Sequence, residues 1–260
     1  MLATHERFDL NSATVNGVVQ KVRPFGHDGT IMVHLDRPRA AIALPESGTI
    51  PGNGDFSLVA GDTLSATGWL KDMRFEEGLT SFLARAERLD LLEKYPSLAA
   101  IKNKTVARSL TALVPDGAFA VEADEQDDPD NYVRLEGLVV RSWVYSRHTY
   151  ARLAVYDQYE KDLAEAAQDG KLPRRKAHYV TVQFTDGMVD GRKVALKART
   201  RLRVSGRLTT RVYVETLREW LNQAKMAEFI QSFENPDLLG SVRARYGQVV
   251  VEATGLIVFN

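Results

Sequence analysis

The sequence predicts a mainly β chain folded as two five-stranded barrels in tandem. Two observations carry the prediction: a strand pattern that occurs twice in the same order, and glycines at matching places in its two copies. In the repeat, Asn16-Gly17-Val18-Val19 parallels Glu136-Gly137-Leu138-Val139, each opening an apolar run. Thr63 to Leu70 parallels Arg201 to Leu208 in apolar phase and in its glycine, and Phe82 to Leu89 lies in the same order as Val249 to Leu256. Such self-similarity fixes a domain plan before any motif is considered.

Between the first two blocks each half has two more alternating, β-branched runs: Ile31 to Leu35 and Ala40 to Leu44, then Tyr150 to Asp157 and His178 to Thr185. Alternation of apolar and polar residues is the signature of a half-buried strand. Five strands per half, with a glycine in the first and another in the fourth, suit a small coiled barrel, because glycine permits close strand approach. The economical fold is the five-stranded Greek-key barrel of OB type.

The remaining segments are read as additions to the barrels. Ser97 to Val114 places Leu98, Ile101, Val106, Leu110 and Leu113 on one stripe, so a connecting helix ending at Pro115-Asp116-Gly117 is expected. Glu122 to Asp130 is acidic and lacks apolar periodicity, as a linker does. Helical insertions in the second barrel are expected at Gln158 to Lys171 and Val214 to Phe233. The domain plan is a first barrel over 1–92, a helix and acidic linker over 93–130, and a second barrel over 131–260.

The 260 residues include 34 Lys/Arg and 34 Asp/Glu, but residues 1–130 carry −7, residues 131–213 carry +9 and the rest −2. That segregation points to a polyanion partner for one part of the chain. No cysteine is present, which removes disulfides, thiolate metal sites and cysteine nucleophiles, and with no secretory signal it gives a cytoplasmic expectation. No apolar run approaches the roughly 18 residues of a membrane span.

The basic charge concentrates in the strand from Lys197 to Leu208. If Leu202, Val204 and Leu208 face inward, Arg199, Arg201, Arg203 and Arg207 share the other side. Like charges at that spacing need solvent, acidic neighbours or a polyanion to offset them. Arg174, Arg175 and Lys176, with Arg192 and Lys193, add charge in loops. On neighbouring strands the alternation leaves Tyr150, Arg152, Tyr156 and Tyr179 outward, together with Thr181 and Gln183, and Trp143 and Tyr145 end the first strand. Aromatics beside cations are the parts that bind a single strand, since bases stack on rings while cations meet phosphates. The first barrel has Thr63, Ser65, Thr67 and Trp69 where the second has arginines. Trp69 is expected to pack with Phe75 across a hairpin.

No catalytic signature is found: no phosphate-cradling loop with lysine, no nucleophile elbow, no dinucleotide fingerprint. His5, His27, His34, His148 and His178 have no paired metal spacing, and Asp157, Asp186 and Asp190 read as turn residues. The expectation is a non-enzyme without metal or cofactor.

With these residues in place, the chain resembles tandem OB-fold single-stranded DNA-binding proteins of the bacterial type with two OB folds per polypeptide, over residues 14–92 and 132–260. The resemblance implies sequence-tolerant binding of single-stranded DNA in replication, recombination or repair, nucleoid association, contacts with DNA-processing proteins, and assembly as a homodimer. It departs from those proteins in that the sequence stops on an expected strand, Val249 to Phe259, where a glycine-rich acidic tail would follow in them. Two other readings stay open: an OB-fold scaffold in a DNA-processing or secretion complex, and a binder of single-stranded RNA. A nuclease on the same frame is a weaker third.

Overall fold

The computed structural model describes residues 10–25, 29–36, 39–45, 58–122, 131–156, 177–185, 187–189 and 196–259. Among them run ten strands: β1 (Asn11–Phe25), β2 (Thr30–Leu35), β3 (Ala41–Pro45), β4 (Thr63–Gly78), β5 (Thr105–Glu122), β6 (Asn131–Tyr145), β7 (His148–Tyr156), β8 (Ala177–Phe184), β9 (Arg201–Thr216) and β10 (Arg243–Phe259). Six short helices accompany them: α1 (Leu79–Arg85), α2 (Leu91–Lys94), α3 (Pro96–Ala100), α4 (Leu217–Gln223), α5 (Ala227–Ser232) and α6 (Pro236–Ser241).

The pairings close on themselves twice. β1 pairs with β2 and β4, β2 with β3, β3 with β5 in parallel, and β5 with β4. The second half repeats this order: β6 with β7 and β9, β7 with β8, β8 with β10 in parallel, and β10 with β9. Each ring is the five-stranded Greek-key barrel of the OB fold. The first strands of the two barrels also pair, Asn11–Val15 antiparallel to Asn131–Leu135.

Alternation fills each barrel. Val15, Val19, Val33, Ile42, Leu64, Leu70 and Leu113 are buried in the first, and Val133, Leu135, Leu153, Val155, Val180, Val182, Phe184, Leu202, Val204 and Val251 in the second. An asparagine clip is repeated as well. Asn11 donates to the Leu70 carbonyl (3.0 Å) and accepts from the Leu70 N–H (2.9 Å), while Asn131 does the same with Leu208 at 2.8 and 2.8 Å. In both barrels the amide side chain thus supplies a ladder partner for β4 or β9.

The repeated late glycine is explained by strand approach. A Cβ on Gly68 would lie 2.0 Å from the Val114 carbonyl oxygen, and one on Gly206 would lie 2.3 Å from that of Glu252. Backbone cannot yield as a flexible side chain can. Gly68→Ala should therefore destabilise the chain by about 3 kcal/mol, the upper end of ordinary overpacking. Urea denaturation checks this, and a loss below about 1 kcal/mol would mean that β5 moves aside freely.

Two elements differ from expectation. Phe82 to Leu89, read as the fifth strand of the first barrel, opens in α1, and Ser97 to Val114, read as a helix, is α3 followed by the start of β5. Leu79, Phe82 and Leu83 are buried at helical spacing, whereas Val106, Leu110 and Ala112 are buried at even positions along a strand. The counterpart of α1 is α4, where Leu217, Trp220 and Leu221 repeat the spacing. The helical insertion expected from Val214 is present as α4 and α5, and α6 extends it. Gln158 to Lys171 and most of the acidic linker lie outside the described residues.

The chain divides into two compact units, one holding both barrels and the other formed by residues 73–110 and 211–248. The second unit has its own core, in which Leu79, Phe82, Leu83, Leu91 and Leu98 meet Leu217, Trp220, Leu221, Phe233 and Leu239. It also holds a buried ionic network. Arg108 donates to Glu77 (2.9 Å), Gln223 (2.9 Å) and Glu215 (2.5 Å), and its guanidinium lies over the Tyr246 ring at 5.5 Å. Arg85 also pairs with Glu77, and Gln223 donates to Glu215 at 2.6 Å.

Candidate nucleic-acid interface

The β6–β7 ribbon of the second barrel gathers the aromatic and cationic residues. It turns through Ser146 and Arg147, both at positive φ (48° and 70°), as a two-residue type I′ hairpin requires. A bulge between Val139 and Arg141 shifts the register. Past Val140 the strand has changed parity, so that Arg141, Trp143 and Tyr145 come opposite Arg152, Tyr150 and His148 respectively. A bulge re-aims side chains in this way. Ala151, Leu153 and Val155 of β7 are buried in the barrel, and the ribbon's other face holds a cation pair, an aromatic pair and a tyrosine–histidine pair.

Two arginines directly opposite each other repel. Each is steadied by a ring: Arg141 lies 5.0 Å from the Trp143 centroid and Arg152 lies 5.3 Å from that of Tyr179 on β8. Arg152 also pairs with Asp72 of β4 at 3.7 Å. Trp143 stacks on Tyr150, with centroids 5.6 Å apart and planes 11° apart. Tyr145 at the tip is 52 % exposed and Val144 beside it 72 %.

Several expected site residues are placed differently by the structure. Tyr150 lies on the expected face but is only 3 % exposed, under Trp143. Thr181 and Gln183, expected outward, are buried. Tyr156 and Tyr179 are half-buried. Trp69 packs 5.4 Å from His178 of β8 rather than with Phe75, and Lys71 lies over the Trp69 ring at 5.7 Å.

The arginine strand is answered within the chain. Arg201 and Arg203 both bond the buried carboxylate of Glu136, with Nε distances of 2.7 and 2.9 Å. Both guanidinium groups lie over the Phe259 ring, at 4.7 and 5.4 Å. Arg207 donates to Glu252 at 3.1 Å. Arg199 precedes β9, in a turn with φ of 72°, and is exposed there together with Lys197. Acidic neighbours thus meet the repulsion that this strand posed. Arg174, Arg175 and Lys176, like Arg192 and Lys193, lie outside the described residues.

Arg141 escaped the sequence reading because strict alternation through Val139-Val140 gives the wrong parity beyond the bulge. Its signal was present: two adjacent valines followed by the alternating run Arg141-Ser142-Trp143-Val144-Tyr145. The first barrel has the same bulge, between Val19 and Lys21. There the ribbon sets Lys21 opposite His34, Arg23 opposite Met32 and Phe25 opposite Thr30.

No family model matches the chain, and no curated protein matches it. Among solved structures it is similar to the single-stranded DNA-binding protein of Thermus aquaticus. A deletion mutant of that protein has 13 % identity and a TM-score of 0.49, covering 96 % of this chain and 95 % of its own. The wild type has 14 % identity and a TM-score of 0.47, covering 96 % and 93 %. The N-terminal domain of PriB from Thermoanaerobacter tencongensis, described as dimeric, has 15 % identity and a TM-score of 0.24, covering 50 % of this chain and 97 % of its own. The tandem OB fold itself follows from the strand order and register of this chain.

Proposed function

We propose that this chain binds single-stranded DNA, largely without regard to sequence, through the β6–β7 ribbon of its second barrel. The observation that carries the reading is the Arg141–Arg152 pair directly beside the stacked Trp143 and Tyr150. A single strand needs cations for its phosphates and rings for its bases, and this ribbon offers both within three register positions. Tyr145 extends the platform at the tip, and Tyr179 and Tyr156 flank it. Lys197 and Arg199 add exposed charge. Arg201, Arg203 and Arg207 serve as supports, since their guanidinium groups are engaged by Glu136 and Glu252. We place the activity in cytoplasmic DNA replication, recombination or repair, with a homodimer as its working form and binding in place of catalysis.

The test is a fluorescence titration of the full chain with single-stranded DNA, single-stranded RNA and duplex, with and without magnesium. Salt-sensitive binding to the DNA strand, independent of magnesium and without cleavage, is the expected result. Equal affinity for the RNA strand would widen the substrate class, because stacking and phosphate contacts do not read the sugar. Arg141→Gln combined with Arg152→Gln should flatten the plot of log affinity against log salt by about 1.4, at roughly 0.7 per phosphate contact on a single strand. An unchanged slope would place the phosphate contacts elsewhere.

A further inference from the structure

Strand β9 runs on past its pairing with β6 and leaves one edge open there. On the β10 side the Leu217 N–H meets the Val242 carbonyl at 2.9 Å, and Tyr213 stacks on Tyr246 with centroids 5.5 Å apart. Antiparallel strands exchange bonds at every second residue, so the backbone groups of residues 211, 213, 215 and 217 turn towards β10. Those of the even-numbered residues turn the other way. On that edge Leu208 meets the Asn131 amide, and the Thr216 N–H meets Glu219 at 2.7 Å. Between them Val212 and Val214 have no facing strand among the described residues, since the β6 register covers 201–206. Their side chains are 56 % and 53 % exposed.

The same place in the first barrel is occupied differently. Leu79 N–H meets the Lys104 carbonyl at 3.2 Å as Leu217 meets Val242, so Glu77 corresponds to Glu215, and Arg74 and Glu76 stand where β9 has Val212 and Val214. Both are exposed, and charged side chains are an ordinary guard against edge pairing. The outer edge of β10 is covered where Arg85 donates to the Arg245 carbonyl at 2.6 Å. An open edge that bears β-branched side chains is a template for a further strand.

We propose that the Arg211–Glu215 edge of β9 pairs antiparallel with the same edge of a second copy of this chain, about a two-fold axis at Tyr213. The segment Arg211-Val212-Tyr213-Val214-Glu215 is its own complement. Val212 of each copy falls opposite Val214 of the other, and Arg211 falls opposite Glu215. A two-fold interface has to be self-complementary in this way. The valines are the residues whose backbone groups face the edge, so each Val212–Val214 pair exchanges two hydrogen bonds. The exposed Arg243 and Arg245 of β10 do not oppose the seam. In the joined sheet the two β10 strands stand about 14 Å apart, three strand spacings, beyond a screening length of about 8 Å. The seam deepens the homodimer proposed above and rests on that reading; strand binding uses a different surface, the β6–β7 ribbon.

The experiment follows the full chain and its variants by sedimentation equilibrium and by disulfide trapping, which is clean because the chain has no native cysteine. Val214→Pro removes the edge N–H without changing charge or the β10 ladder, and should weaken the dimer by about tenfold or more. Tyr213→Cys puts the two sulfurs on the axis, where the Cα atoms of a non-hydrogen-bonded pair are about 4.5 Å apart and within disulfide reach. It should trap as a covalent dimer under oxidised glutathione. Phe75→Cys, its partly exposed counterpart on the first ribbon, should not. Circular dichroism checks the fold of each variant, and if one fails to fold the other decides. An unchanged dimer in Val214→Pro, or trapping of Tyr213→Cys no faster than of Phe75→Cys, would overturn the seam while leaving a homodimer through another surface. A parent chain that is monomeric at every concentration would overturn both seam and homodimer, and would leave the edge to a strand of another protein. The DNA titration described above is read on the same samples, so strand binding stands or falls separately.

Discussion

Arg108→Met should lower the stability of the unit formed by residues 73–110 and 211–248 by about 3–5 kcal/mol, the cost of removing one partner from a buried ion network. Among the described residues Arg108 is the single cation that touches both Glu77 and Glu215, and the side chains of the three are only 13 %, 8 % and 5 % exposed. Without it Glu77 keeps Arg85, but among the described residues Glu215 keeps the neutral amide of Gln223 in place of a cation. A buried carboxylate that has lost its cation keeps its desolvation cost without the attraction that offset it. Urea denaturation at neutral pH reads the effect. Adding Glu215→Gln to Arg108→Met should recover part of the loss at pH 7, because the stranded charge is gone. A deficit below about 1 kcal/mol would mean that water reaches the carboxylates and the network contributes little.

The same unit marks where the sequence became hard to read. Alternation is a reliable sign of a strand when one face is buried, and it located β2, β3, β7, β8 and the barrel parts of β4 and β9. The connections after β4 and β9 share a pattern of another kind: Glu77 with Leu79, Phe82 and Leu83, and Glu215 with Leu217, Trp220 and Leu221. Aligning Phe82 with Val249 instead of Trp220 turned a helix into a strand and pushed β5 into a helical stripe. The error has a physical source. Leu98 and Ile101 belong to α3, whereas Val106 and Leu110 belong to β5, and a stripe drawn across both elements mixes two periods.

The proposed binding face was legible in composition but not in detail. Trp143, Tyr145, Arg152 and Tyr179 could be found from residue type and alternation, because ring and cation chemistry does not depend on exact register. Arg141 could not, since one bulged residue inverts every later side chain on a strand. Nor could the pairing of Arg201 and Arg203 with Glu136, which is set by the β6–β9 register, where Glu136 lies opposite Arg203. Three arginines on one strand read as an open basic surface until the neighbouring strand is known.

Trp143→Leu with Tyr145→Leu should weaken binding to a deoxythymidine strand by about 2–6 kcal/mol, taking roughly 1–3 kcal/mol for each base that loses its ring. Leucine is chosen so that Tyr150, on which Trp143 stacks, keeps an apolar cover. Tyr145 is exposed and Trp143 only half-buried, so folding stability should change by less than about 1.5 kcal/mol, the usual limit for a tolerated apolar exchange. The separating readout is the salt slope. Neither substitution removes a charge, so the slope should stay within error of the parent while the intercept falls, the converse of the Arg141/Arg152 variant. Affinity and slope falling together would mean that the ribbon had been distorted and its arginines displaced with the rings. Affinity unchanged in both would show that bases do not stack on this ribbon, and the rings would then serve only to hold Arg141 and Arg152 apart.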